Sequence, residues 1–460
     1  MKKVLGVEKD RKNVSEEKLN KYMKILSEML NTKTVFTSDF RYQNEFDKFY
    51  KILDENFPLI KMKATRLSFS SGCFLYLIKG KNASKNVMLM SHHDVVEASS
   101  LWKSEPFEAQ IKVDKLFARG SIDAKTSLFG ELQAVEELLE DGYDFEGINL
   151  YIGSSNNEEV SGDGMVLVAK YFKEYNIHID TILDEGGAIV HDMVPGFKGK
   201  SAMVAIHEKG RYAYECKVDL KNKGHVSLSP SKESSILNLS KFIKEVSESK
   251  IFKPHFYPEV KGIFKEHVPY MKFPFNFIFN NLTLFSPVIK SVMKKGPQTS
   301  EMLSTSIKFT AITAGDESKF YMAPNEAKAI MYLRCVREFD LKNNFYKIEN
   351  IAKKYGVKLT LINEDYCISS NYQSDAYKIL KQTLNTNFPD VVVAPFLLTT
   401  GTDARRFSEV ATNILKFAPV DLNKEQFASI HGDNEYIYLK TIGECVLFYK
   451  DFIKRYSKGI

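Results

Sequence analysis

The sequence predicts an α/β domain built on a mostly parallel sheet and interrupted by a smaller α+β domain. Three observations carry that prediction. Short apolar runs alternate with amphipathic helical stretches from residue 74 to 207 and again after 367, the pattern of strands joined by crossover helices. The run Val87-Met88-Leu89-Met90 has no polar alternation, as expected for a strand buried on both faces. Around Gly210 the texture switches: Tyr212, Tyr214, Cys216 and Val218 alternate with Ala213, Glu215 and Lys217, the period of a half-exposed strand. The expected boundaries are 1–207 with 367–460 for the larger domain and 208–366 for the insert.

In the first 60 residues Leu19, Tyr22, Met23, Ile25, Leu26, Met29 and Leu30 recur at i, i+3, i+4 spacing and predict a helix. The strand at 87–90 is followed, after the segment ARGSIDAK at 118–125, by a helix with Leu128, Leu132, Val135, Leu138 and Leu139 on its apolar side and Gly142 near its end. A strand at 148–152, a helix at 165–175 and a strand at 181–183 continue the alternation. In the insert, a helix at 235–248 follows the Tyr212 strand. Strands at 307–314, 328–335 and 357–362 come next, with a helix at 341–355, so the insert reads as a small sheet with two helices. The α/β texture resumes with a helix at 374–384 and strands at 391–394 and 413–417. The sequence holds no internal repeat and no low-complexity segment.

Composition narrows the function classes. At 460 residues, 44% hydrophobic and 27% charged, the chain has apolar material for a core in each domain, and fibrous, disordered and disulfide-scaffold classes are excluded. The net charge is +6, but basic residues cluster only as short pairs such as Lys294-Lys295 and Arg405-Arg406. Nucleic acid is therefore not an expected partner. Cys73, Cys216, Cys335, Cys367 and Cys445 are widely spaced without a CxxC, which fits reduced thiols and a cytoplasmic location. The charged start MKKVLGVEKDRKN has no apolar run behind it, so no secretory signal is expected. The most apolar stretch, 273–288, is interrupted by Pro274, Asn276, Asn280, Asn281 and Pro287, and it is shorter than the ~20 residues a membrane span requires. It reads either as a buried segment or as an exposed apolar surface for a partner or an acyl chain.

Acidic and imidazole groups concentrate just after predicted strands. His92, His93 and Asp94 follow Met90; Asp123 opens a helix; Asn156, Asn157, Glu158 and Glu159 follow the 148–152 strand; Asp184-Glu185-Gly186-Gly187 follow Leu183. Ligands in open α/β sheets bind beyond the carboxyl ends of strands. So many carboxylates in one cleft would repel one another unless a cation neutralised them. Imidazole and carboxylate together suit Zn²⁺ or Co²⁺, and a high carboxylate share favours paired metals. Singly, each piece has a plainer reading: His-x-Asp as a surface pair, Glu158-Glu159 as a helix start, Asp123 as an N-cap. The case rests on the set occurring in order at strand ends.

With these residues in place, the sequence resembles the di-zinc amidohydrolases and exopeptidases of peptidase family M20, which include aminoacylase, carboxypeptidase G, carboxypeptidase S and succinyl-diaminopimelate desuccinylase. The blocks that carry the resemblance are SHHDVV at 91–96, Trp102 with Pro106-Phe107, ARGSIDAK at 118–125, NNEEVSGDG at 156–164, LDEGG at 183–187, GHVSLSP at 224–230, GTDARRF at 401–407 and IHGDNE at 430–435. The Trp–Pro-Phe and DEGG details lean toward the carboxypeptidase S and aminoacylase branch.

The resemblance implies a di-metal exopeptidase domain carrying a lid or dimerisation domain. By it, His92 and Glu185 would complete one metal site, Glu159 and His431 the other, and Asp123 would bridge both. Two divalent ions are implied, zinc first, with cobalt or manganese as alternatives. Asp94 would hydrogen-bond the His92 imidazole and fix its tautomer. Glu158 would be the general base, which chemistry supports: of two adjacent carboxylates, one can bind metal while the other moves the proton. His225 would stabilise the oxyanion, often across a dimer. Arg405 would hold the substrate's free carboxylate, with Arg406 as the neighbouring alternative, and Gly401 would leave room for close approach.

There are departures from the family pattern. Tyr321-Met322-Ala323 precede Pro324 where an asparagine is usual, Glu97 replaces a proline, and Val226 stands inside the GHSS block. These touch substrate contacts rather than metal ligands. The Phe-rich insert at 252–300 exceeds a minimal lid. The expected function is a metal-dependent hydrolase cleaving an amide bond next to a free carboxylate, in an N-acyl amino acid or short peptide. The resemblance also implies a homodimer through the lid. The alternatives are a di- or aminopeptidase of the same fold and a catalytically silent binding relative.

Overall fold

The strand expected at 87–90 spans Lys85–His92 and lies inside a sheet of ten strands in the computed structural model, which describes residues 5–70, 72–220 and 234–459. Neighbouring strands run Thr65–Ser68, Phe74–Ile78, Ile148–Ser155, Lys85–His92, Ile179–Asp184, Ala411–Lys416, Lys200–Glu208, Ile189–His191 and Asp421–Leu422, and Val391–Leu398 also pairs with Lys200–Glu208. The centre is parallel: Lys85–His92 pairs in parallel with both Ile148–Ser155 and Ile179–Asp184, which pairs in parallel with Ala411–Lys416. Antiparallel strands continue the sheet on either side. Val87, Met88, Leu89 and Met90 are all buried, which is why this strand needs no polar alternation.

The chain forms two compact units, 1–207 with 259–281 and 368–460, and 208–258 with 282–367. The insert is therefore not the uninterrupted block expected at 208–366. Residues 259–281 return to the larger unit because their contacts are there. Ser201 Oγ lies 2.8 Å from His267 Nε2, Glu266 pairs with Lys381 at 2.8 Å, and a Cβ on Gly262 would stand 2.4 Å from Pro395. In the same unit, the Ser370 N–H donates to the Ile206 carbonyl at 2.8 Å, so the two ends of the excursion lie side by side.

The larger unit's core lies between the sheet and its helices. Helix Glu16–Leu30 starts at Ser15, whose hydroxyl accepts the Lys18 N–H, and buries Tyr22, Ile25, Leu26, Met29 and Leu30, the stripe that its spacing predicts. Helix Lys125–Glu140 is buried on nearly every side. The C-terminal helix Leu439–Lys458 crosses it so closely that a Cβ on Gly130 would meet Cys445 Sγ at 3.0 Å.

The smaller unit is an antiparallel sheet in the order Ser306–Ala314, Glu326–Cys335, Gly210–Asp219, Val357–Asp365. Helices Ser235–Glu248 and Glu338–Lys354 add Leu239, Phe242, Val246, Leu341 and Ile348 to a core with Tyr212, Cys216 and Val218. Strand Glu326–Cys335 alternates strictly between buried and half-buried positions, as a one-sided sheet requires. The apolar stretch at 273–288 is divided between the units: helix Phe275–Asn280, with Phe273 and Phe277 exposed, belongs to the larger, and helix Leu282–Met293, with Leu284 and Val288 exposed, to the smaller. Each of the two readings holds for part of it, since Phe279 is buried while Phe273, Phe277, Leu284 and Val288 are exposed. The block at 224–230, with His225, lies outside the described residues. No described helix is long and apolar enough to cross a membrane.

Candidate metal centre

Sheet register brings the acidic groups together. His92 stands opposite Ser155 and Met90 opposite Asp184, so the parallel strands end along one edge and the residues after them emerge there. His92 is 3% exposed. Its Nδ1 donates to the Asp94 backbone carbonyl at 2.9 Å, and its Nε2 faces Asp123 Oδ1 at 2.9 Å. The Asp94 carboxylate, expected to hydrogen-bond the imidazole, comes within 3.5 Å of Nδ1 and also accepts the backbone N–H groups of Glu158 (3.2 Å) and Glu159 (3.0 Å). Asp94 thus fixes the imidazole through its carbonyl and its side chain, and the glutamate pair through its side chain.

Asp123 Oδ2 meets His431 Nε2 at 3.2 Å, and the same nitrogen lies 3.0 Å from Glu159 Oε2. His92 Nε2 and one oxygen each of Asp123 and Glu159 lie within 4.8 Å of one another. The two carboxylates raise His431 to about 10, and in turn His431 and His92 hold Asp123 far below the usual carboxylate range, against the effect of its burial.

His431 and Asp123 reach each other through a clamp. Strand Tyr436–Tyr438 pairs with Lys115–Phe117, which sets the turn at 431–435 beside the loop at 118–123. The fully buried Glu435 carboxylate accepts the N–H groups of Gly120 (3.1 Å), Ile122 (2.6 Å) and Asp123 (3.2 Å) and the Arg119 guanidinium (2.6 Å). Arg119 also donates to the Gly432 carbonyl at 2.7 Å and lies over the Trp102 ring at 5.3 Å. Lys125, buried behind the loop, donates to the carbonyls of Met29 and Thr32, and burial lowers it to about 7. Glu435, Arg119 and Lys125 stood inside quoted motifs without an expected role. A signal existed for Glu435 and Arg119: both are charged residues flanking a proposed ligand.

His93 has a different fate from its neighbour. Its ring stacks on Phe49 at 5.0 Å and on Phe74 at 5.5 Å, its Nδ1 meets Ser154 Oγ at 2.8 Å, and burial keeps it neutral. It is a core histidine.

Glu158 and Glu185 complete the acidic group electrostatically. Burial pushes both carboxyls well above the usual range; nearby His92 opposes, while carboxylates around them add to the rise, Asp403 and Asp94 for Glu158, Asp123 and Asp184 for Glu185. Asp184 is held near 6, also chiefly by burial, and accepts the Ala404 N–H at 3.2 Å. Asp403 is buried and feels both Asp94 and His92, which puts the 3₁₀ turn Asp403–Phe407 at the border of this cluster. Arg405 in that turn is buried and donates to the Thr402 carbonyl. Gly401 lies in the loop just before it. In DEGG, a Cβ on Gly187 would stand 2.3 Å from the Met203 carbonyl oxygen and 2.5 Å from that of Lys416, so only glycine fits.

The donor set suits divalent cations. Imidazole nitrogens and carboxylate oxygens converge within coordination reach, and the surplus of buried carboxylates calls for positive charge that the two histidines alone do not supply.

Comparison with known proteins agrees with this architecture. Residues 88–455 match the model of peptidase family M20/M25/M40. An N-fatty-acyl-amino acid synthase/hydrolase of Danio rerio is 30% identical over 382 residues, covering 82% of this chain and 73% of the relative. A probable carboxypeptidase S-like protein of Dictyostelium discoideum is 30% identical over 427 residues, covering 91% and 81%. In fold, the chain is similar to an M20 family metallo-carboxypeptidase from Sulfolobus solfataricus, with TM-score 0.68, 17% identity, and coverage of 97% and 100%.

Proposed function

The chain belongs to peptidase family M20/M25/M40 and is a metal-dependent amide hydrolase; from that premise we propose that it cleaves N-acyl amino acids with an apolar acyl group, and short peptides more slowly. The observation that carries this reading is the meeting of His92, Asp123, Glu159 and His431 beside the turn that holds Arg405. Two of the similar proteins bear names with the same chemistry, hydrolysis of an N-acyl amino acid and of a peptide C-terminus.

In this reading His92 and Glu185 would hold one divalent ion and Glu159 and His431 the other, with Asp123 shared between them. Zinc is the first choice and cobalt or manganese the alternatives. Such ions, when bound, acidify water and polarise the scissile carbonyl. Glu158, with its carboxyl raised by burial, is matched to take a proton from the attacking water and return it to the leaving amine. Arg405 holds the free carboxylate as a guanidinium fork, and Gly401 leaves room beside it. His225 is assigned to the oxyanion. Cytoplasmic residence fits five free, buried cysteines. A homodimer through the smaller unit fits its exposed edge strand Ser306–Ala314, and light scattering tests it.

The decisive experiment is hydrolysis of a panel of long- and short-chain N-acyl amino acids and dipeptides, with chelator and with zinc, cobalt or manganese restored. Chelator-sensitive release of an amino acid, fastest from long-chain substrates, is the expected result. Cleavage of dipeptides alone would sink the acyl reading. Arg405→Ala should raise KM for every substrate with a free carboxylate; an unchanged KM would point instead to an aminopeptidase.

A further inference from the structure

Helix Leu282–Met293 has one polar face, along Thr283, Ser286 and Lys290, and its apolar remainder is only partly covered. Ile289 is buried and Leu282, Phe285 and Met293 are partly so, whereas Leu284, Val288 and Val292 are 71%, 64% and 60% exposed. Their spacing of four puts these three on one stripe, with exposed Pro287 beside it. An amphipathic helix with an exposed aliphatic stripe beside a lysine-bearing polar face is built to lie at an interface.

Along the helix and the chain that flanks it, the charge is of one sign. Lys290 lies on the helix, and Lys294 and Lys295 follow it, both exposed. Over 267–300 the sequence has four lysines and no aspartate or glutamate, in a chain with 58 acidic residues. Aliphatic side chains whose charged neighbours along the helix are lysines are the make-up of helices that lie in the interface of an anionic bilayer. Size argues against a second copy as the occupant. Twelve residues make a helix about 18 Å long, and three side chains fall well short of the roughly 800 Å² per partner that stable interfaces bury. Self-pairing about a two-fold axis would also gather the lysines of both copies on one patch.

We propose that helix Leu282–Met293 docks the protein on an anionic lipid surface, with Leu284, Val288 and Val292 entering the acyl boundary and Lys294 and Lys295 meeting the headgroups. The enzyme would then work where amphiphiles with apolar chains collect. Binding itself does not depend on the substrate assigned above.

The test is co-sedimentation of the full, metal-loaded protein with phosphatidylcholine vesicles, with and without phosphatidylserine. Binding should require phosphatidylserine and weaken as salt rises. Leu284→Ser/Val288→Ser/Val292→Ser should abolish it, and Lys294→Ala/Lys295→Ala should weaken it roughly 30-fold. Turnover of a short, water-soluble N-acyl amino acid, or metal binding if that substrate is not cleaved, should be unchanged in both variants, which shows that they are folded. Equal binding by the triple variant overturns the proposal, as does absence of binding to either vesicle by the wild type. Lipid-independent self-association that the triple variant abolishes also overturns it and assigns the stripe to a second copy.

Discussion

His92 and His431 bring imidazole nitrogens to the same carboxylate, Asp123, but the chain holds them by opposite means. His92 ends a strand paired on both sides, behind it lie buried Leu89 and Met90, and its own exposure is 3%. The His431 side chain is half exposed, on a turn where its backbone takes φ 57°, and the turn is tied down by the Glu435–Arg119 pair. One half of the centre is placed by sheet register and apolar packing, the other by desolvated charge. A sheet tolerates the loss of one contact because its neighbours remain; a buried ion pair that loses one partner leaves the other stranded.

Breaking the clamp is the most severe test of that contrast. Glu435→Ala leaves Arg119 and three backbone N–H groups without their acceptor and should cost about 3–5 kcal/mol in denaturant unfolding of the metal-free protein. An unchanged midpoint would show that the turn is held by something else. On the strand side, Leu89→Ala should cost about 3 kcal/mol through the cavity it leaves, while the metal affinity of the folded protein stays within a few-fold by titration calorimetry. A large loss of affinity there would erase the distinction between the halves. Asp94→Asn should do the reverse, weakening metal binding by about 10–100-fold with a small stability change.

Away from the centre, Glu137 gives a charge-dependent benchmark of smaller size. Burial opposes its ionisation, but Lys450, Tyr22 and Lys18 prevail and hold it at about 2 instead of 4.5. A depressed carboxylate stabilises the fold fully above its unfolded value, and the contribution disappears as pH falls from 4.5 toward 2. Glu137→Gln should therefore cost about 2 kcal/mol at neutral pH and flatten the acid limb of the stability curve. An acid limb unchanged by the substitution would remove Glu137 from that role.

The strand-borne half was readable in advance because period and position are local properties. An unbroken apolar run announced Lys85–His92, and acids just past three strand ends announced the cleft. The clamp was not readable in the same way. Glu435 stands near a proposed ligand, but nothing local says what it holds; its role exists only because strand Tyr436–Tyr438 lies against Lys115–Phe117, more than 300 residues earlier in the chain. His93 illustrates the same limit, since adjacent histidines on a strand differ only in what the fold puts beside them. The return of 259–281 to the larger unit rests likewise on partners such as Lys381 and Pro395 that are distant in sequence.

The place of strand Ala411–Lys416, between Ile179–Asp184 and Lys200–Glu208, has a consequence for biosynthesis. Its two neighbours leave the ribosome about 200 residues before it does, an interval of roughly 10–40 s at ordinary translation rates. Throughout that time the large sheet has a gap beside its parallel centre, with unpaired strand edges on the nascent chain. The smaller unit, whose strands and helices are complete by residue 365, has time to form its separate core first. Yield in cells should accordingly respond to chaperone supply and to translation speed across 208–411 more than to either in the first hundred codons.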